Sequence, residues 1–153
     1  MTEKSQGKKI APPSWLKALN EDLMEQQRLD TGMADLPVLT VPGRRTGQPR
    51  RTPLTVLELD GQRYVLEGFP GADWAQNLRA AGGHATLSIG ARHERVRLVE
   101  LDAEAALPVL RAWPVEVSEG AGMMRDAGVV TAVTPEAFEA VAGTCGVFRV
   151  ERE

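Results

Sequence analysis

The chain has 153 residues, 42% of them apolar and 25% charged, which suits one globular domain with enough chain to bury a core. Its formal net charge of −3 argues against broad nucleic-acid binding, which demands a basic face. A lone cysteine, Cys145, excludes an intrachain disulfide and a thiolate metal cluster.

Residues 1–13 are polar, lysine-bearing and end in Pro12-Pro13, so a flexible tail is expected before a single domain over 14–153. Ser14 can cap a helix over 15–29, whose apolar face carries Trp15, Leu16, Leu19 and Leu23, with Gly32 as a stop. Its other face holds Glu21, Asp22 and Glu25, which anionic lipid would repel. Strands are expected over 36–41 and 52–59, then a hairpin through Asp60-Gly61 into 62–67. Gly68-Phe69-Pro70-Gly71 breaks the pattern. Asp73 can cap a helix over 74–81, ended by Gly82-Gly83. Strands resume over 84–89 and 92–101. In the second, Val96 and Leu98 share one face, while Arg95, Arg97 and Val99 share the other. Asp102 opens a helix through Trp113 that Pro108 should distort. Residues 114–133 read as a mobile loop or a short helix over a pocket. Thr134-Pro135-Glu136 starts a helix with Phe138 and Val141 facing inward, and 146–150 is a last strand. Five or six short strands with a few helices imply an α+β, mainly β, barrel with helical additions.

One segment stands apart chemically. Residues 43–52 read Gly-Arg-Arg-Thr-Gly-Gln-Pro-Arg-Arg-Thr, and no acidic residue lies between Asp35 and Glu58. Four arginines on a turn rich in glycine and proline suit an anion, with phosphate the first candidate. Gly43 and Gly47 let backbone N–H groups approach closely, and Thr46 adds a hydroxyl. Alternation sends Arg50 and Arg51 to opposite faces. A solvated turn pairing with surface carboxylates is the competing reading, and it fits less well with charge this one-sided.

Residues 43–54, the Asp73-Trp74-Ala75-Gln76-Asn77-Leu78 helix and, more weakly, the strands at 95–99 and 147–150 together resemble the deazaflavin-dependent nitroreductase family, whose members use coenzyme F-420. The resemblance implies a split β-barrel of the FMN-binding type. It also implies hydride transfer from the reduced deazaflavin to a quinone, a nitro compound or an activated double bond. It assigns the cofactor's phosphate and glutamate tail to Arg44, Arg45, Thr46, Gly47 and Arg50. Pro53, Leu54 and Thr55 would floor the ring, and Leu66, Gly68 and Phe69 would lie on the adjoining strand end. Trp74 and Asn77 would flank it. A core role for Trp74 is an equal reading, while Asn77 needs partners if buried.

No catalytic residue emerges. Tyr64 reads as packing, His84 and His93 as surface or structural, and no acidic pair or metal-ligand spacing stands out among Glu58, Asp60 and Glu67. The loop 68–72 is shorter and more neutral than in many relatives, and no tyrosine follows residue 113, which weakens the case for a nitro acceptor. The alternatives are a non-catalytic deazaflavin carrier, told from an enzyme by the absence of an apolar cavity beneath 114–133, and a split barrel using FMN. The expected partner is a small electron acceptor, with no nucleic acid and no stable membrane insertion. A homodimer follows from the resemblance alone, and a cytoplasmic location from the soluble, disulfide-free chain.

Overall fold

The computed structural model describes residues 36–153. The tail at 1–13 and the helix at 15–29 lie outside the described residues. Seven strands run in order β1 Val38–Pro42, β2 Pro49–Pro53, β3 Leu57–Leu59, β4 Gln62–Leu66, β5 His84–Ile89, β6 Arg92–Glu100 and β7 Val147–Arg152. Four helices accompany them: α1 Asp73–Ala80, α2 Ala103–Glu116, α3 Ser118–Asp126 and α4 Pro135–Glu139. The strands form one antiparallel sheet in the order β2-β1-β5-β6-β7-β4-β3.

That order shows why the sheet must curl. β2 and β3 are opposite edges, yet only Leu54, Thr55 and Val56 separate them. Six inter-strand steps of ~4.8 Å would put the edges of a flat sheet ~29 Å apart. Four Cα–Cα steps from Pro53 to Leu57 reach at most ~14 Å. The sheet therefore closes most of the way on itself, leaving a gap between β2 and β3. This is a split β-barrel.

The expected single strand over 52–59 is thus two strands on opposite edges. Pro53 offers no N–H to the ladder, and the Leu54 N–H donates at 2.9 Å to the Pro37 carbonyl. The chain then crosses the gap. The hairpin between β3 and β4 forms as expected, with Asp60 (φ 53°) and Gly61 (φ 78°) in the left-handed conformations of a tight turn.

Strand alternation builds two cores. Inside the barrel, Leu39, Val41, Val65, Leu87, Val96 and Phe148 pack with Ala75 and Leu78 of α1. Outside it, Leu57, Leu66 and Val147 pack under α2, α3 and α4 through Leu110, Trp113, Met124 and Phe138. Val65 and Leu66 are adjacent and belong to different cores, as do Val147 and Phe148. That is the period of two of a strand buried on both faces.

The helices carry corrections. Asp73 is the first residue of α1 and not its cap; Ala72 occupies that position without a side-chain cap bond. Asp102 does cap α2, accepting from the Ala105 N–H at 2.7 Å, but the helix continues past Trp113 to Glu116 and takes in both Pro108 and Pro114. Thr134 caps α4 by accepting from the Ala137 N–H at 3.1 Å. Residues 118–126 form α3. Ala121 and Met124 are buried in the outer core, and the Met124 side chain lies against Gly68.

Arg63 of β4 reaches across β7 to Glu94 of β6 with two hydrogen bonds of 3.0 and 2.9 Å, and Arg152 adds a contact at 3.3 Å. The Arg63 hydrogen bond is the chief reason that the Glu94 carboxyl is held below the usual carboxylate range, reinforced by the charges of Arg63 and Arg152. A depressed folded pKa gives stability that is complete above the unfolded value of ~4.3 and is lost as pH falls through the folded value. Replacing Glu94 with glutamine should therefore destabilise the protein at neutral pH and flatten its acid sensitivity below pH ~4.3. Urea unfolding at neutral and acid pH reads both effects; parallel curves for wild type and variant would show that the clasp carries no pH-linked stability.

Candidate cofactor site

The turn between β1 and β2 is closed by its own backbone. The Gly43 N–H donates to the Gln48 carbonyl and the Gly47 N–H to the Gly43 carbonyl, both at 2.8 Å. Thr46 Oγ1 accepts from the Gln48 N–H at 3.2 Å, which leaves its own hydroxyl proton to donate outward. The N–H groups of Arg45 and Thr46 have no acceptor among the described residues. Consecutive amides of this kind form an anion-binding concavity.

The arginines divide their work. Arg44 is fixed to α1: its backbone N–H and its Nη1 both donate to Asn77 Oδ1, at 3.0 and 2.7 Å, and its Nη2 lies 3.4 Å from Asp73 Oδ1. Asn77, only 6% exposed, thereby has its side-chain carbonyl oxygen satisfied twice. Arg50 lies opposite Val41 in the register and Arg51 opposite Thr40, so the two point to opposite faces as alternation requires. The Arg50 side chain folds back over Gly43, where an added Cβ would stand 3.3 Å from its Nε. Only glycine leaves that space at ordinary contact distance. Among the described residues no carboxylate pairs with Arg45, Arg50 or Arg51. The turn thus gathers uncompensated positive charge, two open amides and a hydroxyl, a donor set that fits a phosphate.

The expected ring-floor residues lie where the barrel is split. Pro53 is buried and ends β2, and Leu54, Thr55 and Val56 stand outside both ladders. Leu54 and Val56 pack on the inner core together with Trp74. Trp74 also contacts Phe148, ring centroids 5.8 Å apart and tilted by 58°, so it anchors the core on that side. The Leu66 side chain faces the outer core, Gly68 lies beneath Met124, and Phe69 is half-buried.

A second polar cluster escaped the sequence reading. Glu67, 2% exposed, accepts from Arg79 Nη2 at 2.6 Å, the Gly71 N–H at 2.8 Å and the Gly146 N–H at 3.2 Å. Arg79 also donates to both oxygens of Glu100, at 2.9 and 2.8 Å. The Glu100 hydrogen bond is the largest reason that the Arg79 guanidinium is held above its ordinary value. Gly146 is needed for space, because an added Cβ would sit 2.7–2.8 Å from Arg79, Glu100 and Glu67 atoms. Nearby, burial above all, with help from the Glu67 charge, pushes the Cys145 thiol up to about 12, so it stays protonated and inert at neutral pH. Tyr64 packs against the outer core, and His84 and His93 are on the surface. The described residues include no cluster able to hold a metal and no helix long and apolar enough to cross a membrane.

A split barrel that carries a turn rich in unpaired arginines suits a protein that binds an anionic cofactor. The chain belongs to the F420H(2)-dependent quinone reductase family, whose model matches residues 20–134. It is accordingly an oxidoreductase that passes a hydride from reduced F-420 to a small electron-poor acceptor. Family membership disfavours the carrier reading. No curated protein matches the chain. Similar solved structures include an F420-H2 dependent reductase, FDR-A (20% identity, 76% of this chain and 94% of that one, TM-score 0.43). Another is an F420 reductase (13% identity, 94% and 96%, TM-score 0.44). A third is a FAD-binding protein from Mesorhizobium loti (16% identity, 87% and 88%, TM-score 0.49). Likenesses this distant add nothing to the fold argument from strand order.

Proposed function

We propose that this reductase acts on quinones and that the turn at 43–50 holds the phosphate of F-420, with the ring lying along the split of the barrel. The observation that supports it most is the uncompensated charge of Arg45 and Arg50 beside the open Arg45 and Thr46 amides. Arg44 contributes less by direct contact than by fixing the turn, because Asn77 and Asp73 already engage its fork. Gly47 opens the turn with a φ of 76°. Pro53, Leu54 and Thr55 supply one wall, Gly68 and Phe69 a backbone edge, and Trp74 a rigid apolar side. When bound, the reduced deazaflavin supplies the hydride. The chain's part is to orient the ring and the acceptor and to keep water away.

The test is anaerobic mixing of the purified protein, reduced F-420 and a soluble benzoquinone, following deazaflavin oxidation by absorbance, with FMN binding measured in parallel. Protein-dependent oxidation with no FMN binding is expected. Cofactor binding without quinone turnover would move the acceptor to another class. Preference for FMN would overturn the site assignment.

A further inference from the structure

The segment 68–72 is a turn tied to the rest of the fold by one carboxylate. The Ala72 N–H donates to the Phe69 carbonyl at 3.0 Å, and Gly71 has a φ of 81°. Residues 69–72 thus have proline second and glycine third, as a type II turn demands. The Gly71 N–H donates to Glu67 Oε2 at 2.8 Å. Glu67 Oε1 accepts from the Gly146 N–H at 3.2 Å and from Arg79 Nη2 at 2.6 Å. Glu100 holds Arg79 in turn. The Glu67 carboxylate therefore fastens the turn to the start of β7 and to α1. The N–H groups of Gly68 and Phe69, by contrast, have no acceptor among the described residues. One end of the segment is tied down, and the other carries two open donors.

We propose that Glu67 is a positioning residue for hydride transfer, acting through the 68–72 turn to hold the Gly68 and Phe69 amides in one orientation toward the carbonyl oxygens of the deazaflavin ring. The proposal rests on the assignment of the ring to the split of the barrel. Glycines at 68 and 71 give the segment unusual backbone freedom, and freedom left beside a ligand is lost on binding. Neither glycine can exchange that freedom for a side chain. An added Cβ at Gly68 would stand 3.2 Å from Met124 Sδ, and Gly71 sits in the left-handed region. The restraint has to come from outside the turn, and Glu67, 2% exposed, supplies it. The phosphate is held elsewhere, at 43–50, so a loosened turn should let the ring tilt while the cofactor stays bound. Rate depends on that tilt more steeply than affinity does, since a displacement of ~1 Å costs up to ~100-fold.

Glu67→Gln is the variant to test. With its oxygen kept on Arg79 and Gly146, its N–H2 faces the Gly71 N–H and the turn loses its tether. Three quantities are read on the full chain, well below the unfolding midpoint of the variant. They are amide hydrogen exchange over 68–72 without cofactor, F-420 affinity by fluorescence, and the single-turnover rate at which benzoquinone oxidises prebound reduced F-420. Exchange over 68–72 should quicken roughly 10-fold as the turn opens locally. Affinity should change less than ~3-fold while the transfer rate falls roughly 10- to 100-fold. Glu100→Gln loosens only the hold on Arg79 and lies on an exposed residue, so it keeps the test open should Glu67→Gln fold poorly; it should move exchange and rate the same way by less. A purely structural Glu67 would lower the unfolding midpoint and leave the rate per bound cofactor at the wild-type value. That result, unchanged exchange, or weaker binding at an unchanged rate would overturn the positioning role and leave the phosphate site standing. Failure of wild type to bind F-420 would overturn the cofactor assignment and the positioning role with it.

Discussion

Replacing Glu67 with alanine should lower the free energy of unfolding by ~3–5 kcal/mol, the usual cost of removing one partner from a buried ion pair. The loss has several sources. Arg79 keeps Glu100 but loses its closest carboxylate, at 2.6 Å. The N–H groups of Gly71 and Gly146 lose their acceptor in a place water reaches poorly. Glu67 also joins three parts of the chain: its own backbone N–H donates to the Gly146 carbonyl at 2.7 Å, and its side chain holds the 68–71 loop and α1. Arg79 in turn lies over the Phe148 ring at 5.4 Å, so the network is seated on the inner core. Glu67→Gln keeps the shape and one acceptor oxygen but turns an N–H2 toward a donor, because both Glu67 oxygens accept, so it should recover only part of the loss. Urea unfolding of Glu67→Ala, Arg79→Ala and the double variant measures the coupling directly. Strict additivity, or a Glu67→Ala loss under ~1 kcal/mol, would show that the pair is not the latch its geometry describes.

The same residue shows where sequence reading stopped. Glu67 follows an apolar strand, and the other members of its network, Arg79, Glu100 and Gly146, are 12, 33 and 79 positions away. No local spacing announces a network whose members meet only after the sheet has curled. Signals that depend on neighbours were legible. The Asp60-Gly61 turn, the strand at 84–89, the cap at Thr134 and the opposed faces of Arg50 and Arg51 all follow from dihedral preference or alternation over a few residues. The split between β2 and β3 was not, because Pro53 to Val56 keep the apolar, β-branched composition of a strand. Only the pairing of the two halves with opposite edges breaks the run. Residues 118–126 were obscure for a related reason. Their glycines and methionines have weak helix periodicity, and burial of Ala121 and Met124 against Leu66 and Trp113 decides the matter. At the candidate site, the charge of the turn was plain from composition, and so was Asn77's need for a partner. That the partner is Arg44, which ties the turn to α1, required the fold.

Because Arg44 is committed to Asn77, Arg50 should carry most of the phosphate contact, and Arg50→Ala should weaken F-420 binding about 10- to 100-fold, the range for losing one charge-assisted bond of ~1.5–3 kcal/mol. Its guanidinium lies over Gly43, at the start of the turn that carries the Arg45 and Thr46 amides, so one anion bound at that turn would meet both. Arg50→Lys retains charge and loses the fork, and should fall between alanine and wild type. Binding should weaken with added salt in wild type and do so less in Arg50→Ala, since one exposed charge has left the site. Arg125→Ala removes the same charge from the surface near Asp126 and separates a local contact from a change in overall charge. If Arg125→Ala and Arg50→Ala weaken binding equally, the turn acts only through long-range charge. If Arg50→Ala binds like wild type while Arg45→Ala does not, the forked contact belongs to Arg45. A large, salt-sensitive loss confined to Arg50→Ala would instead make the Gly43 cradle the geometric centre of the site. Gly43→Ala should then reproduce part of that loss by displacing the Arg50 side chain while leaving its charge in place.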